Sequence, residues 1–155
     1  MITIITGKKN SGKTTYLKTH YKKTQKGDGF LSIKRFENDE FIGYDLLHLK
    51  TNELISFIRM KNILPNDWIE IFDIGIFSFS KEGFKFAKNI LENTKDEPIF
   101  IDEIGPIEIL EQKGFYNLLK QNLDKELYVT VRELLYEEFL RTFDITKNIN
   151  KITIE

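Results

Sequence analysis

The sequence predicts a three-layer α/β fold, in which a mainly parallel β-sheet lies between layers of helices. Three features of the 155-residue chain support this prediction. Short runs rich in Ile, Leu and Phe alternate with stretches of helical periodicity. A glycine-containing loop joins the first apolar run to the first helical stretch. From Phe30 to Met60 the pattern changes to strands separated by short polar turns, which predicts an inserted antiparallel β-meander.

The first half of the chain divides into a strand, a helix and the meander. Ile2 to Thr6 is a β-branched run typical of a buried strand. A helix is expected from Lys13 to about Lys23, ending near Gly27. The meander covers about residues 29–60. Its three predicted strands are "FLSIKRF", "FIGYDLLHLK" and "LISFIRM".

The second half returns to alternating strands and helices. "IFDIGIFSFS" is expected to form one strand, and "KEGFKFAKNILENT" a helix with apolar residues at helical spacing. "PIFID" is suited to a strand buried on both faces. The remaining predicted elements are a helix around 114–123, a strand at 126–132, a helix at about 133–142 and a final strand at 151–155.

Composition limits the classes of function. With 41% hydrophobic and 30% charged residues, we expect one globular domain over residues 1–155. The net charge of −1 gives no global basic field, so DNA binding is not expected. The absence of Cys excludes disulfides and thiolate metal sites. His20 and His48 are too few for a histidine metal cage, and we assign them no role.

The N-terminus and the apolar runs carry no targeting pattern. The N-terminal "MITIITGKK" lacks a cleavage-site pattern, so no signal peptide is expected. No apolar run approaches the length of a membrane span. We therefore expect a cytoplasmic protein that does not associate with a membrane.

The loop "GKKNSGKT" matches G-x-x-x-x-G-K-[ST] at every fixed position. Its glycines let successive backbone N–H groups converge on a phosphate, and the following helix adds its N-terminal dipole. Lys13 would reach the β- and γ-phosphates, and the Thr14 hydroxyl would ligate Mg²⁺. The side chains of Lys8 and Lys9 are more simply solvated. The expected phosphate-binding residues are Gly7, Lys8, Lys9, Asn10, Ser11, Gly12, Lys13, Thr14 and Thr15.

A magnesium nucleotide requires a second oxygen ligand from a neighbouring strand end. The run "IFID" ends in Asp102, which is the expected metal ligand together with Thr14. Asp73 in "IEIFD" is the rival, but no second acid stands beside it. The sequence favours Asp102.

Glu103 directly follows this metal acid. Side chains alternate along a strand, so Glu103 does not duplicate Asp102 and could turn toward the γ-phosphate to polarise an attacking water. The alternative is a solvated acid at a strand end. Arg132, near the end of the next strand with Thr130, is a candidate for stabilising charge on the transferred phosphoryl group. A surface ion pair with a following glutamate is the open alternative.

Two further positions remain open. Glu108 is either a supporting acid behind the site or a surface residue. Arg35, in the meander, either closes over the phosphates or occupies an ordinary surface strand position. Trp68 and the many Phe residues are most economically assigned to the core.

The motif blocks together resemble a family of small P-loop nucleoside triphosphatases. The blocks are "TGKKNSGKTTYL", "GDGFLSIKRF", "FIDEIGPIEIL" and "VTVRE", and the resemblance covers most of the chain. It implies a RecA-like core and Mg²⁺-dependent hydrolysis of ATP, GTP and other nucleoside triphosphates. By this likeness Lys13 and Thr14 match the phosphate and metal residues, Asp102 the metal acid and Glu103 the base.

The expected activity is therefore Mg²⁺-dependent hydrolysis of the β–γ phosphoanhydride. No N-K-x-D sequence that would select guanine is present, so we expect low base specificity. One alternative is a small-molecule phosphotransferase with the meander as a lid, although Arg is scarce and Glu103 is present. Another is a nucleotide-binding adaptor similar to the accessory protein of molybdopterin-guanine dinucleotide synthesis.

Overall fold

A computed structural model describes residues 1–155 and contains a single nine-stranded sheet. The strands are β1 (Ile2–Gly7), β2 (Asp28–Glu37), β3 (Glu40–His48), β4 (Leu54–Met60), β5 (Glu70–Ile74), β6 (Phe77–Ser80), β7 (Ile99–Ile104), β8 (Leu127–Arg132) and β9 (Ile149–Ile154). The helices are α1 (Lys13–Thr24), α2 (Lys81–Asn93), α3 (Pro106–Glu111), α4 (Tyr116–Lys120) and α5 (Tyr136–Thr142). No helix combines the length and apolar character needed to cross a membrane.

The sheet joins a parallel half to an antiparallel half. Its strand order is β5-β6-β4-β3-β2-β7-β8-β1-β9. The pairs β2–β7, β7–β8, β8–β1 and β1–β9 are parallel, whereas β2–β3, β3–β4, β4–β6 and β6–β5 are antiparallel. The predicted fold class is confirmed, and β2 is the strand that belongs to both halves.

Helices cover both faces of the sheet. Leu17 of α1 packs with Ile5 and Phe100 on one face. The other face carries the larger core, in which residues of α2 to α5 pack on the sheet. All six residues of β1 are buried, because the strand is paired on both sides, with β8 and β9, and both of its faces are covered, as its β-branched run predicts.

Two predictions about individual elements are wrong. Residues 71–80 form a hairpin of two strands, β5 and β6, and not one strand. Gly75, between them, has φ 57°, a left-handed conformation that glycine adopts without steric cost. The predicted helix at 114–123 is reduced to α4, and α3 precedes it. Pro106 is the first residue of α3, a position where its missing N–H costs nothing.

The assignment of the Phe residues and Trp68 to the core holds for most of the Phe residues, but not for Phe36 or Trp68. Phe36 is 55% exposed on the outer part of β2. Trp68 is half-buried, and its indole N–H donates to Ser78 Oγ at 2.9 Å. Its polar edge therefore has a partner near the sheet margin, whereas its ring is only partly removed from water.

Candidate active site

The expected site residues lie along one edge of the parallel half of the sheet. Gly7 ends β1 beside Arg132, which ends β8, and Asp102 and Glu103 lie near the end of β7. A cleft of about 330 Å³ opens there. Residues 10–15, residues 32–34, Tyr44 and Glu103 line it. The carboxyl end of a parallel sheet is where ligands of such folds bind.

The two glycines of the phosphate loop are required for different structural reasons. A Cβ on Gly7 would lie 2.6 Å from the carbonyl oxygen of Ile154 and 2.6 Å from Ser11 Oγ, so no side chain fits. Gly12 has φ 102°, in the left-handed region, at the N-cap of α1. The loop therefore lies tightly against the end of β9 and turns directly into the helix.

Lys13 extends back across this loop. Its Nζ donates to the carbonyl oxygens of Lys8, at 2.7 Å, and Gly7, at 3.3 Å. Burial lowers the pKa of Lys13, and the nearby Glu103 carboxylate acts in the opposite direction. The ammonium group thus lies where loop N–H groups and the start of α1 would meet a phosphate.

Asp102 is fully buried and joins three elements through hydrogen bonds. Its Oδ2 accepts from Thr14 Oγ1 at 2.8 Å and from the backbone N–H of Ser32 at 3.0 Å. Its Oδ1 accepts from Thr130 Oγ1 at 2.6 Å. Burial raises the pKa of Asp102, and these hydrogen bonds oppose the increase. Thr14 and Asp102, the two expected metal ligands, are therefore in direct contact.

The rival acid Asp73 lies elsewhere. It is on β5, at the far edge of the sheet, where it is exposed and paired with Lys61. Its distance from the phosphate loop in the strand order excludes it from the cleft.

Glu103 sits on a β-bulge. Ile101 pairs with Val129 and Ile104 with Val131, so β7 contains one residue more than β8 in this interval. Glu103 has φ 64°, and its N–H donates to Thr130 Oγ1 at 2.7 Å. Bulges turn a side chain away from strict alternation, and this one directs Glu103 to the cleft that Lys13 also lines.

The surroundings of Glu103 have opposing effects on its pKa. Desolvation in the cleft raises its pKa, and the adjacent Asp102 carboxylate raises it further. Arg132, Lys13 and Lys34 lower it. Three cationic side chains therefore favour the charged form of Glu103.

Arg132 and Thr130 have different places on β8. The Thr130 hydroxyl is buried and bridges Asp102 to the backbone of Glu103, so it does not face the cleft. Arg132 is half-exposed and takes part in none of the eight ion pairs of the chain. The alternative of an ion pair between Arg132 and a following glutamate is therefore not what the structure contains.

Glu108 supports the loop that follows Glu103. Its two carboxylate oxygens accept from the backbone N–H groups of Gly105 and Phe115, both at 3.0 Å. Burial raises the pKa of Glu108 to about 7. Of the two alternatives for this residue, the structure shows the supporting position and not the surface one.

Lys34 is a cleft residue that sequence reasoning missed. Its Nζ contacts Asn10 Oδ1 of the phosphate loop, whereas Arg35 points away and lies 3.6 Å from Asp45. Arg35 is absent from the cleft lining and is 56% exposed. The two-residue period of β2 could have identified Lys34, because it shares a face with Ser32, which borders Asp102.

The histidines have structural partners. His48 Nε2 lies 2.8 Å from Asp28 Oδ1, and its Nδ1 lies 3.0 Å from Thr51 Oγ1. His20 lies against the ring of Tyr128, at 4.7 Å between centroids. The antiparallel register of β2 and β3 brings Asp28 close to His48, a contact that sequence spacing alone does not reveal.

The donor set fits magnesium better than a softer metal. No group of three or more His, Cys, Asp or Glu residues is positioned to hold a metal ion. Mg²⁺ is usually bound through one or two protein oxygens together with substrate phosphates and water. The Thr14 hydroxyl and the Asp102 carboxylate provide that arrangement.

The fold resembles two solved structures. The crystal structure of THEP1 from the hyperthermophile Aquifex aeolicus matches with a TM-score of 0.74 at 22% identity, over 99% of this chain and 90% of that one. The solution structure of a human cancer-related nucleoside triphosphatase matches with a TM-score of 0.71 at 20% identity, over 99% and 88%. At these identities the likeness shows the fold.

Sequence comparison identifies the family. No curated protein matches the chain significantly. The family model described as NTPase matches residues 2–155, nearly the whole chain. The chain therefore belongs to the P-loop NTPase family of nucleoside-triphosphatase enzymes, as the motif blocks predict.

Proposed function

We propose that the protein is a Mg²⁺-dependent phosphohydrolase that cleaves the β–γ phosphoanhydride of nucleoside triphosphates with little base selection. One observation carries this proposal. The contact between Thr14 and Asp102 lies beside a bulge that directs Glu103 into the cleft of the phosphate loop. The phosphate loop, a candidate pair of metal ligands and a separate carboxylate thus lie at one site.

The phosphate loop and Lys13 bind and neutralise the triphosphate. Backbone N–H groups at the start of α1 converge with the helix dipole on a phosphate group. The Lys13 ammonium exchanges its loop carbonyl partners for β- and γ-phosphate oxygens. Lys34, which touches the loop from β2, adds a second cation on the opposite wall.

Thr14 and Asp102 would hold Mg²⁺, which supplies charge neutralisation for the phosphates when bound. The three hydrogen bonds to Asp102 fix the orientation of its carboxylate. Buried between strands, Asp102 cannot itself reach a water that attacks the γ-phosphate from the cleft.

Glu103 is the group that takes the proton from the attacking water. It is the only carboxylate lining the cleft, and its backbone is fixed by Thr130. Arg132 lies at the end of the neighbouring strand, where a guanidinium can stabilise charge on the transferred phosphoryl group. Hydrolysis by this route needs no residue outside the cleft and its margin.

Low base specificity is supported by the sequence of the chain. No N-K-x-D sequence is present, and the described cleft walls consist of phosphate-loop residues, β2 residues, Tyr44 and Glu103.

Phosphate release from ATP, GTP, CTP and UTP tests the proposal, with Mg²⁺ and with EDTA in excess. We expect turnover of all four at rates within about tenfold of one another, and loss of turnover with EDTA, because without Mg²⁺ only Lys13 and Lys34 of the cleft would neutralise the triphosphate. Restoration by added Mg²⁺ is the control. Full activity in EDTA, or turnover of only one nucleotide, would contradict the proposal.

A further inference from the structure

A second cavity of about 170 Å³ adjoins the phosphate cleft. Ser32, Tyr44 and Glu103 line both spaces, so these residues form their common boundary. The second cavity lies against the loop after β7 and the end of β8, and no residue of α1 lines it. It therefore lies on the side of Glu103 away from the phosphate loop and α1.

We propose that this cavity is an acceptor subsite for a small alcohol with an apolar, ring-sized body, whose hydroxyl takes the γ-phosphoryl group in place of water. The inference rests on the proposed phosphate cleft and adds a second substrate to it. The γ-phosphoryl group is then transferred either to water or to an alcohol, depending on what occupies the cavity.

The wall of the cavity is apolar and aromatic. Phe57 lies edge-to-face with Phe79, at 5.7 Å between centroids and 87°, and stacks with Phe115 at 5.4 Å and 29°. Ile58 and Ile107 complete the apolar lining. A cavity of roughly 150 Å³ with Leu, Ile and Phe walls takes benzene, so this one has room for a single ring with a short substituent.

Two charged side chains without an ion-pair partner line the cavity, and one of them, Glu103, also lines the cleft. Glu103 and Arg132 both line it, yet they form no ion pair with each other or with any other residue. A carboxylate and a guanidinium in the lining of one cavity suit a hydroxyl that must meet a phosphoryl group. An apolar body beside them would displace water from the same cavity.

The chemistry of transfer is balanced. The alcohol oxygen forms a bond to the γ-phosphorus, and the bond from that phosphorus to the β–γ bridging oxygen breaks. The hydroxyl proton passes to the Glu103 carboxylate and from there to solvent. The products are a phosphate ester and a nucleoside diphosphate, and no oxidant or reductant is required.

The back of the cavity is a fixed structure. Glu108 clamps Gly105 to Phe115 through two hydrogen bonds, and all three residues line the cavity. Gly114 makes this clamp possible, because a Cβ there would lie 2.1 Å from Glu108 Oε2. The shape of the cavity therefore depends on a buried hydrogen-bonded loop and is largely pre-formed.

Benzyl alcohol is the probe, and toluene is its matched analogue without the hydroxyl. At this size a Kd on the order of 1 mM is expected for either compound. The experiment incubates the protein with Mg-ATP and benzyl alcohol and quantifies benzyl phosphate and inorganic phosphate by ³¹P NMR. We expect both products, and we expect toluene to lower the yield of benzyl phosphate by competition.

Two variants fill the cavity from independent positions. Gly105→Leu adds a side chain where a Cβ would meet no atom within 4 Å, and Ile107→Phe enlarges a wall residue. Each should lower the ratio of benzyl phosphate to inorganic phosphate about tenfold or more. Leu110→Phe, 60% exposed on the same helix as Ile107, is the control that should retain the wild-type ratio.

The outcomes separate this inference from the proposed function. Hydrolysis in the absence of alcohol, together with no benzyl phosphate in its presence, overturns the acceptor subsite and leaves the hydrolase intact. Benzyl phosphate formed equally by both filling variants and the wild type also overturns it. Absence of both products means that the phosphate cleft itself is wrongly assigned, and the inference falls with it. A folded state is checked for each variant by circular dichroism.

Discussion

The buried carboxylate of Asp102 connects α1, which follows the phosphate loop, to the strand that carries the two acids. Hydroxyls from α1 and β8 and a backbone N–H from β2 donate to its two oxygens. The Thr130 hydroxyl also accepts the N–H of Glu103. The Thr130 side chain therefore holds both acids in place, although it carries no charge and does not line the cleft.

Replacing Thr130 should disturb both acids at once. Thr130→Val removes a donor to Asp102 and an acceptor for the Glu103 N–H, and it leaves both groups buried without that partner. We expect the free energy of unfolding to fall by about 2 kcal/mol and phosphate release to slow. Urea denaturation and a phosphate-release assay measure these changes.

The control is Thr130→Ser, which keeps the hydroxyl. It should retain most of the activity, whereas the valine variant should not. If the valine variant matches the wild type in both measurements, Thr130 does not organise the two acids.

Glu108 predicts a pH dependence of stability. Its pKa in the folded protein is about 7, above the ordinary value near 4.5, because it is buried. The folded state therefore binds more protons between these values, so the contribution of Glu108 is full below pH 4.5 and is lost as the pH rises through 7. The loss amounts to up to about 3 kcal/mol.

Urea denaturation across this pH interval tests the expectation. Glu108→Gln does not titrate, so its free energy of unfolding should change less between pH 4.5 and 7 than that of the wild type. Glu111→Gln, an exposed site on the same helix, should retain the wild-type slope. An equal slope in both variants would show that Glu108 does not titrate in this interval.

At the scale of elements, β2 and β7 determine the geometry of the cleft. β2 pairs with β7 at one end and continues into the antiparallel half, so its residues 32–34 form a wall opposite the phosphate loop. The bulge in β7 then turns Glu103 toward that wall. Strand alternation predicts a different direction for Glu103 from that of Asp102, but it does not predict the extra residue.

Lys34 and Arg35 are adjacent on β2 but lie on opposite faces, so their replacement should have different effects. Lys34→Met should lower kcat/KM for ATP by about tenfold, because the cleft loses a cation beside the phosphate loop. Arg35→Met is the matched control on the opposite face. It should change kcat/KM little, since Arg35 is 56% exposed and its partner Asp45 keeps a hydrogen bond to Arg59 at 2.5 Å.

Steady-state kinetics of both variants decide this point. Equal losses for Lys34→Met and Arg35→Met would indicate a general charge effect and not a contact with the triphosphate. A loss confined to Arg35→Met would reverse the assignment and favour Arg35 as the residue that closes over the phosphates.

At the scale of the whole molecule, the features that follow local rules could be predicted from the sequence. The phosphate loop is a local motif, so its position between β1 and α1 is readable from residues 7–14. The parallel core follows from alternating apolar runs and helical spacing. Asp102 follows from the end of an apolar strand.

The features that depend on long-range pairing could not be predicted. The bulge at Glu103 arises from the register of β7 against β8, and the Asp28–His48 contact from the register of β2 against β3. Strand period relates Lys34 to Ser32, but only the pairing of β2 with β7 brings the face that they share to the cleft. The hairpin at 70–80 was hidden because a single glycine separates two short apolar runs.

The central claim is that Glu103 acts as the base in hydrolysis. The most direct measurement compares phosphate release and binding of a fluorescent ATP analogue for the wild type, Glu103→Gln and the control Glu111→Gln. The glutamine variant should bind the analogue as the wild type does, while its kcat falls about 100-fold or more, and the control should match the wild type in both. Equal hydrolysis by Glu103→Gln and the wild type would contradict the claim.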